Sequence, residues 1–322
     1  MLLVITNKYD PHVDLVMARM YDEGLGDRVV RLNTEDFIFK TRYAFDGREF
    51  CVSILDSGRH LCSSQVRAVW YRRPVPILYR KPPDEGVDEY IRKELETVLW
   101  GMYYTMRDAL WINDPVKNRI ASNKILQMRV AKEIGFRVPR TLITNDPRAV
   151  ERHFSRNSPL ALKSISTASL YDSRRKDYIP LFTRRVSREY VLDNGESVSN
   201  YGIFLQEFVE KEYDIRVVVL GREVFAFAIY SAEREETRED FRVLNPSILK
   251  HELIQLPPGV EEKVRRFVGA FELIFSSMDL ILSVDGEYYF IENNPNGQWL
   301  WLQELTGVDL IGPFLNLFRN VI

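Results

Sequence analysis

The sequence predicts an α/β (α+β) protein of several sub-domains, and three observations lead to that class. A strand–helix–strand run opens the chain, strand and helix patterns alternate through its middle, and Asp285-Gly286 sits between two apolar runs near its end. Strand, helix and strand in quick succession imply a parallel sheet, whereas Asp-Gly flanked by apolar residues is a strong short-range hairpin signal. A length of 322 residues exceeds one ordinary core, and 45% hydrophobic residues can supply two or three. The 44 Lys and Arg nearly balance 46 Asp and Glu, for a net charge of -2, so no overall field points to nucleic acid or an anionic membrane. The N-terminal MLLVITNKYD lacks the basic segment and cleavage site of a signal peptide, and no apolar run approaches the roughly 18 residues that span a bilayer. A cytoplasmic protein is expected.

In chain order, residues 2–6 form the first strand, and Asp10-Pro11 supplies an N-cap and a first helical residue. Val13, Val16, Met17 and Met20 mark one stripe of the helix that follows, and Gly24 and Gly26 stop it. A strand over 28–32 completes the unit. No G-x-G-x-x-G follows the first strand, which argues against a Rossmann dinucleotide site. A hairpin turns at Asp46-Gly47, a strand over 66–74 ends at Pro74, and 84–110 carries apolar residues at helical spacing. Cys51 and Cys62 lack metal-ligand spacing and read as ordinary thiols, and the four histidines are scattered.

The pattern then resets with a short helix over 122–135, with Ser122 as N-cap and Gly135 as stop. A strand over 140–143, a helix opened by Asp146-Pro147 and a strand over 160–165 follow. Residues 166–201 hold six Lys or Arg and five Asp or Glu, too polar for core and long enough for a lid or binding loop. An almost continuously apolar strand over 203–209 reads as buried on both faces. The next hairpin turns at Gly221-Arg222, and on its first strand Asp214 and Arg216 point the same way, about 7 Å apart by strand rise. A helix over 260–276, the Asp285-Gly286 hairpin and a helical tail finish the chain.

That last hairpin carries the chemistry. With Asp285-Gly286 as a two-residue loop, Val284 pairs with Glu287, and counting outward sets Asp279 opposite Glu292 with Asn294 on the same face. Opposed Cβ atoms lie roughly 4.5–5.5 Å apart, where like charges repel, so a positive species between them is expected. Three hard oxygen donors suit magnesium; the other reading is a half-exposed carboxylate pair at a sheet edge. Lys163 sits on its strand opposite to Leu160 and Leu162, ahead of Ser164, Ser166, Thr167 and Ser169. It reads either as a phosphate contact or as an edge-strand lysine that blocks aggregation. Lys124, near a helix start, is equally open. Gln206, Glu207, Phe208 and Val209 end a buried strand, whose backbone either presents a donor and an acceptor to a flat heterocycle or is plain core.

Taken in order, Lys124 on a helix, Lys163 on a strand, the loop, QEFV, D-I-R, and Asp279 with Glu292 and Asn294 resemble the ATP-grasp superfamily of carboxylate–amine and carboxylate–alcohol ligases. The resemblance spans roughly residues 115–300. It implies that Lys124 and Lys163 contact the phosphates of ATP, that Gln206 to Val209 form the adenine hinge, and that Asp279, Glu292 and Asn294 hold Mg2+. Arg216 would face the γ-phosphate, and Asp214 would orient the acceptor or take its proton unless it is merely an ion-pair partner of Arg216. It also implies an ATP-grasp fold with an N-terminal α/β (pre-ATP-grasp) domain over 1–115, a small central subdomain over 116–200 and a C-terminal grasp subdomain over 201–322.

LNTEDF, WYRRP, the approach NDP–K–SNK, YDIRV and the closing ENNPNGQWLW are similar to the graspetide (microviridin-type) peptide macrocyclases. That resemblance implies a ribosomal precursor peptide, leader plus core, as partner. Its Asp or Glu side chains would be activated as acyl phosphates and joined to Thr or Ser hydroxyls or Lys amines. Arg72 and Arg73 would meet substrate carboxylates, the other reading being solvated surface arginines, and the segment from Glu189 to Asp193 would contact the leader. The charge run over 233–240 reads as a solvated loop or, alternatively, as a stretch that touches the substrate. Neither nucleic acid nor membrane is an expected partner, and a homodimer is possible. Two other functions stay open: addition of a free amino acid such as glutamate to an acceptor, and nucleotide-dependent regulation without turnover.

Overall fold

The computed structural model describes residues 1–166, 169–172, 174 and 177–322. The N-terminal part comprises β1 (Leu2–Thr6), α1 (Pro11–Asp22), β2 (Val29–Asn33), β3 (Thr41–Phe45), β4 (Phe50–Ile54), β5 (Arg59–Cys62), β6 (Ala68–Tyr71), α2 (Glu85–Thr105) and β7 (Leu110–Ile112). Strands β2-β1-β6-β7 form a parallel sheet in that order, and β3-β4-β5 an antiparallel one. Asp10 caps α1 by accepting from the His12 amide, with Pro11 at the first helical position. Cys51 and Cys62 do not stand as separate thiols. They face each other across β4 and β5 and are joined as a disulfide, because the turn between those two strands sets them in register.

The central part comprises α3 (Pro115–Ala121), α4 (Lys124–Ile134), β8 (Thr141–Thr144), α5 (Pro147–His153), β9 (Leu160–Lys163), β10 (Ser169–Asp172), β11 (Asp177–Pro180), β12 (Arg184–Val186), α6 (Arg188–Asp193), α7 (Gly195–Tyr201) and β13 (Ile203–Glu207). The cap of α4 is Asn123 rather than Ser122, which instead closes α3; Gly135 ends α4 at φ 97°, where a side chain would be strained. Strands β12-β9-β13-β8 form an antiparallel sheet, so β9 with Lys163 is interior and the edge-strand reading of that lysine fails. Of the polar stretch expected as a lid, the helices α6 and α7 are packed into the fold. Val191 and Val198 are buried with Val150, Phe154, Leu160 and Leu205, so a few valines in a polar run suffice to anchor two short helices. Thr167, from the serine-rich loop, lies outside the described residues.

The C-terminal part comprises β14 (Lys211–Leu220), β15 (Glu223–Ile229), β16 (His251–Ile254), α8 (Pro258–Ala270), β17 (Phe275–Ser283), β18 (Tyr288–Asn294), α9 (Leu300–Thr306) and α10 (Ile311–Arg319). Its antiparallel sheet runs β16-β15-β14-β17-β18. One face packs on α4 and α8 through Met128, Phe136, Val264, Phe267, Met278 and Phe290. From the other face Val218, Phe227 and Phe275 join a core shared with β1, α1, β6, α9 and α10, in which Trp70 and Phe314 rings lie 4.7 Å apart. The C-terminal helices are therefore structural members of the junction with the N-terminal sheet. Burying several large apolar side chains at about 1.5–3 kcal/mol each makes that junction hard to open.

Candidate active site

The β17–β18 hairpin reaches the expected opposition of Asp279 and Glu292 by a different route from the one the sequence implied. Near the turn Leu282 pairs with Tyr288 and Ser283 with Glu287, which leaves a three-residue loop, 284–286, with Gly286 at φ 77°. A bulge at Ile291 then restores the register, so that Asp279 stands opposite Glu292 and Ser277 opposite Asn294. The positive charge between the carboxylates comes from flanking elements. Arg216 on the neighbouring strand β14 places Nε 2.6 Å from Asp279 Oδ1, and Lys124 at the start of α4 places Nζ 3.1 Å from Glu292 Oε2.

These charges are out of bulk water, and their acidities show it. Burial drives the Asp279 carboxyl up to about 6, against the pull of Arg216 and with the repulsion of Glu292. Burial also opposes ionisation of Glu292, but Lys124, Lys163 and Arg242 hold its carboxyl below the ordinary range. The nearby Lys163 ammonium donates to Gln206 Oε1 at 2.7 Å, and burial lowers its pKa to about 8. Gln206 is held in turn by donation to Thr141 Oγ1 at 3.1 Å.

Buried amide side chains fix the metal-candidate strand. Gln127 of α4 donates to the Asn293 carbonyl at 2.7 Å and accepts from the Asn293 amide at 2.9 Å. Asn113 donates to the Phe275 and Pro295 carbonyls and accepts from the Ile274 and Phe275 amides. Arg72, expected on the surface, is only 1% exposed: Nη1 donates to the Asn296 and Gly297 carbonyls, and Asp10 Oδ2 lies 3.6 Å from Nε. Following a buried strand, that side chain has no route to solvent and braces the loop after β18 instead. Arg73, one residue on, is exposed. Glu189 and Asp193 lie on α6 outside the cleft lining, Glu189 within 3.4 Å of Arg156.

A cleft of about 340 Å³ collects Lys124, Lys163, Gln206 to Val209, Lys211, Asp214, Asp279, Glu292 and Asn294. Asp214 shares Arg216's face but pairs with Lys211, 2.6 Å away, and with the Ser231 hydroxyl, so the expected Asp214–Arg216 ion pair is not what forms. The charge run 233–240 is no plain solvated loop, since Arg238, Glu239 and Asp240 line the cleft together with Arg242. Asp240 accepts from Arg242 Nε at 2.8 Å and from the Thr183 amide at 2.9 Å, tying this loop to the approach to β12. Lys211, Asp240 and Arg242 were missed by sequence reasoning. A lysine three residues before Asp214 and the aromatic–arginine step directly after the charge run, Phe241-Arg242, were the available signals.

Chemically, the cleft lining sets Lys124, Lys163, Lys211, Arg238 and Arg242, with Arg216 paired behind Asp279, against Glu207, Asp214, Glu239, Asp240, Asp279 and Glu292, six charges of each sign. Such a set accepts a polyanion that arrives with its own divalent cations. Asp279, Glu292 and Asn294 are hard donors on one face. Arg216 Nε lies close to Asp279 without hydrogen-bond alignment, so that carboxylate keeps lone pairs for a metal ion.

Family models match almost the whole chain: the MvdD pre-ATP grasp domain over residues 1–119 and the RimK-like ATP-grasp domain over 121–317. The chain belongs to the RimK-like ATP-grasp family. This ATP-grasp chain is similar to the RiPP-associated ATP-grasp ligase of Chryseobacterium gregarium, solved with ADP and a leader and core peptide, at 24% identity and TM-score 0.87 over 99% of this chain and 96% of that one. It is similar to macrocyclase MdnB of Microcystis aeruginosa MRC at 26% identity and TM-score 0.81, over 99% and 98% of the two chains. Macrocyclase MdnC of the same organism, solved with precursor peptide MdnA, aligns at 24% identity and TM-score 0.82 over 98% and 97%. Among functionally curated proteins none matches the sequence.

Proposed function

We propose that this ATP-grasp protein is an ATP- and Mg2+-dependent ligase that cross-links side chains of a ribosomally made precursor peptide. The observation that carries the reading is the end-to-end likeness, pre-ATP-grasp domain included, to ligases and macrocyclases solved with precursor peptide, in a chain whose own cleft gathers opposed carboxylates and five cations. A carboxylate is a poor electrophile, so ester or amide formation needs a prior transfer of the γ-phosphoryl group to give an acyl phosphate. Lys163, Lys124 and Arg216 would stabilise the charge that builds up between nucleotide and attacking carboxylate. Asp279, Glu292 and Asn294 would hold the metal, which neutralises phosphate oxygens when bound. The Glu207 and Phe208 amides already bond to the Arg140 and Pro159 carbonyls, which leaves Val209 and the Glu207 carbonyl to meet the adenine edge.

Asp214, with Lys211 and Ser231 at its carboxylate, would orient the acceptor hydroxyl or amine or receive its proton. Arg73 and the face of α6 with Glu189 and Asp193 are the proposed peptide contacts; Arg72 is not. The proposed partition places subdomain boundaries near residues 115 and 200, and a cytoplasmic location and a dimer belong to the same proposal, the latter checked by light scattering. No helix among the described residues is long and apolar enough to cross a membrane.

The test is incubation of the full chain with ATP, Mg2+ and a candidate Thr- and Glu-rich precursor, read by intact mass. Loss of one water per bond supports cross-linking. Gain of a residue mass would make it an amino-acid ligase, and nucleotide binding without ADP release in the presence of peptide would make it a regulator. Glu292→Gln should abolish turnover with the fold intact, and an unaffected rate would remove that residue from the site.

A further inference from the structure

A second cluster of metal-binding side chains lies on the N-terminal hairpin, independent of the ligase reading. Strands β4 and β5 pair Cys51 with Cys62 and Ser53 with His60, and these four residues share one face. The opposite face is locked, since Val52 and Leu61 are buried in the core beneath α2. His60 Nε2 lies 3.4 Å from Cys62 Sγ, while its Nδ1 lies 2.9 Å from Ser53 Oγ. The ligand atoms of Cys51, His60 and Cys62 all fall within 4.8 Å of one another. Around zinc, with bonds near 2.3 Å to sulfur and 2.0 Å to nitrogen, tetrahedral geometry asks for ligand separations of about 3.5–3.8 Å. The His60–Cys62 pair is therefore already at that spacing, and the two sulfurs, bonded to each other in the disulfide, have to move apart once it is reduced while the hairpin keeps all three side chains on one face.

We propose that reduction of the Cys51–Cys62 disulfide converts this face into a zinc site, with Cys51 Sγ, Cys62 Sγ and His60 Nε2 as ligands and a water or external thiol as the fourth. Two thiolates and an imidazole form a soft-to-borderline set that favours Zn2+ over Mg2+ or Ca2+. Ser53 supplies the hydrogen bond to the ring nitrogen opposite the metal, which fixes the tautomer that leaves Nε2 free to ligate. The redox step balances with a small-molecule dithiol as reductant. Its two electrons and two protons convert the disulfide to two thiols, and it leaves as its own cyclic disulfide. Metal binding then releases both thiol protons, and the two thiolates match the charge of Zn2+.

The experiment treats the full chain with dithiothreitol, removes the reagent without air, and titrates with Co2+ as a spectroscopic stand-in, followed by Zn2+. One equivalent should develop a thiolate-to-cobalt charge-transfer band that Zn2+ bleaches. Oxidised protein and the Cys51→Ser/Cys62→Ser double variant should lack the band, which also separates this site from the carboxylates of the cleft. Ser53→Ala should weaken binding about tenfold, as loss of such a partner does elsewhere, and His60→Ala by more. Circular dichroism and peptide turnover should be unchanged in all variants. Absence of the band in reduced wild type, an equal band in the double variant, or His60→Ala titrating like wild type would overturn the assignment.

Discussion

Arg216 Nε lies 2.6 Å from Asp279 Oδ1 across neighbouring strands, and Arg216 Nη1 donates to Ser277 Oγ at 2.9 Å. The guanidinium also lies 5.8 Å from the Phe241 ring and 6.0 Å from the Trp301 ring, so aromatic faces shield it on the cleft side. Without it, Asp279 would be a buried carboxylate beside Glu292. Arg216→Met should then lower unfolding free energy by about 3 kcal/mol in urea titrations, and Arg216→Met with Asp279→Asn should recover at least half of that loss. Equal losses in single and double variants would show that the pair carries no such coupling.

The two cleft lysines should separate by what they already touch. Lys163 is bonded to neutral Gln206, whereas Lys124 is committed to the Glu292 carboxylate and the Ser164 carbonyl. Lys163→Met should weaken binding of Mg-ADP at least tenfold, about 1.4 kcal/mol, in calorimetric titration. Lys124→Met should in addition disturb Mg2+ dependence, because it unpairs a metal-candidate side chain. Identical metal profiles for both variants would contradict that division.

How much of this was readable in the chain differs by element. The Asp10-Pro11 and Asp146-Pro147 helix starts, Gly135 as stop and the Gly221-Arg222 turn follow from local chemistry and appear as expected, whereas element ends shift: the strand over 66–74 shortens to Ala68–Tyr71, and the helix over 260–276 ends at Ala270 with Phe275 opening β17. Opposition of Asp279 and Glu292 also appears, yet only because a longer turn and the bulge at Ile291 cancel each other. Periodicity counts residues and does not see a bulge. Arg72 was misread as exposed because a charged residue at a strand end usually is, and only the tertiary contact with the 296–297 carbonyls buries it. Asp240 ends a mixed-sign run and Arg242 lies just beyond it, and their partners, Thr183 and the cleft carboxylates, lie far away in sequence. The pairing of Cys51 with Cys62 needed the hairpin register, not the cysteine spacing.

Asp240 links the loop after β15 to the central sheet through the Thr183 amide, and holds the Arg242 guanidinium toward Glu292 and Asp279. Asp240→Asn keeps the shape but removes the charge and sets an NH2 donor against another N–H at one of the two accepting positions, so hydrogen bonds worth about 1.5–3 kcal/mol are weakened on one side and lost on the other. Initial rates with peptide and ATP should show kcat/KM falling about tenfold, a change in barrier of about 1.4 kcal/mol, with Glu239→Gln near wild type. Equal effects of the two substitutions would mean that loop charge in general, rather than this clasp, matters.

His12 couples the N-terminal helix to the loop after β18, accepting at Nε2 from the Trp299 and Leu300 amides at 3.0 and 3.2 Å. Burial, helped by Arg72 and Arg73, lowers its pKa from 6.5 to about 3, so the fold selects neutral imidazole. Above pH 6.5 both folded and unfolded chains carry it neutral, and its contribution to stability is complete. Below that value the unfolded chain gains a proton that the folded chain refuses, and stability falls by about 1.4 kcal/mol per pH unit until pH nears the folded value. His12→Gln retains an acceptor oxygen but cannot titrate. Urea unfolding of wild type and variant should therefore show a gap at pH 7.5 that narrows by about 2 kcal/mol at pH 5, whatever other groups do in both proteins. A gap that stays constant across that interval would mean that His12 is protonated or exposed in the folded chain, and would break the proposed link between α1 and the strand that carries Glu292 and Asn294.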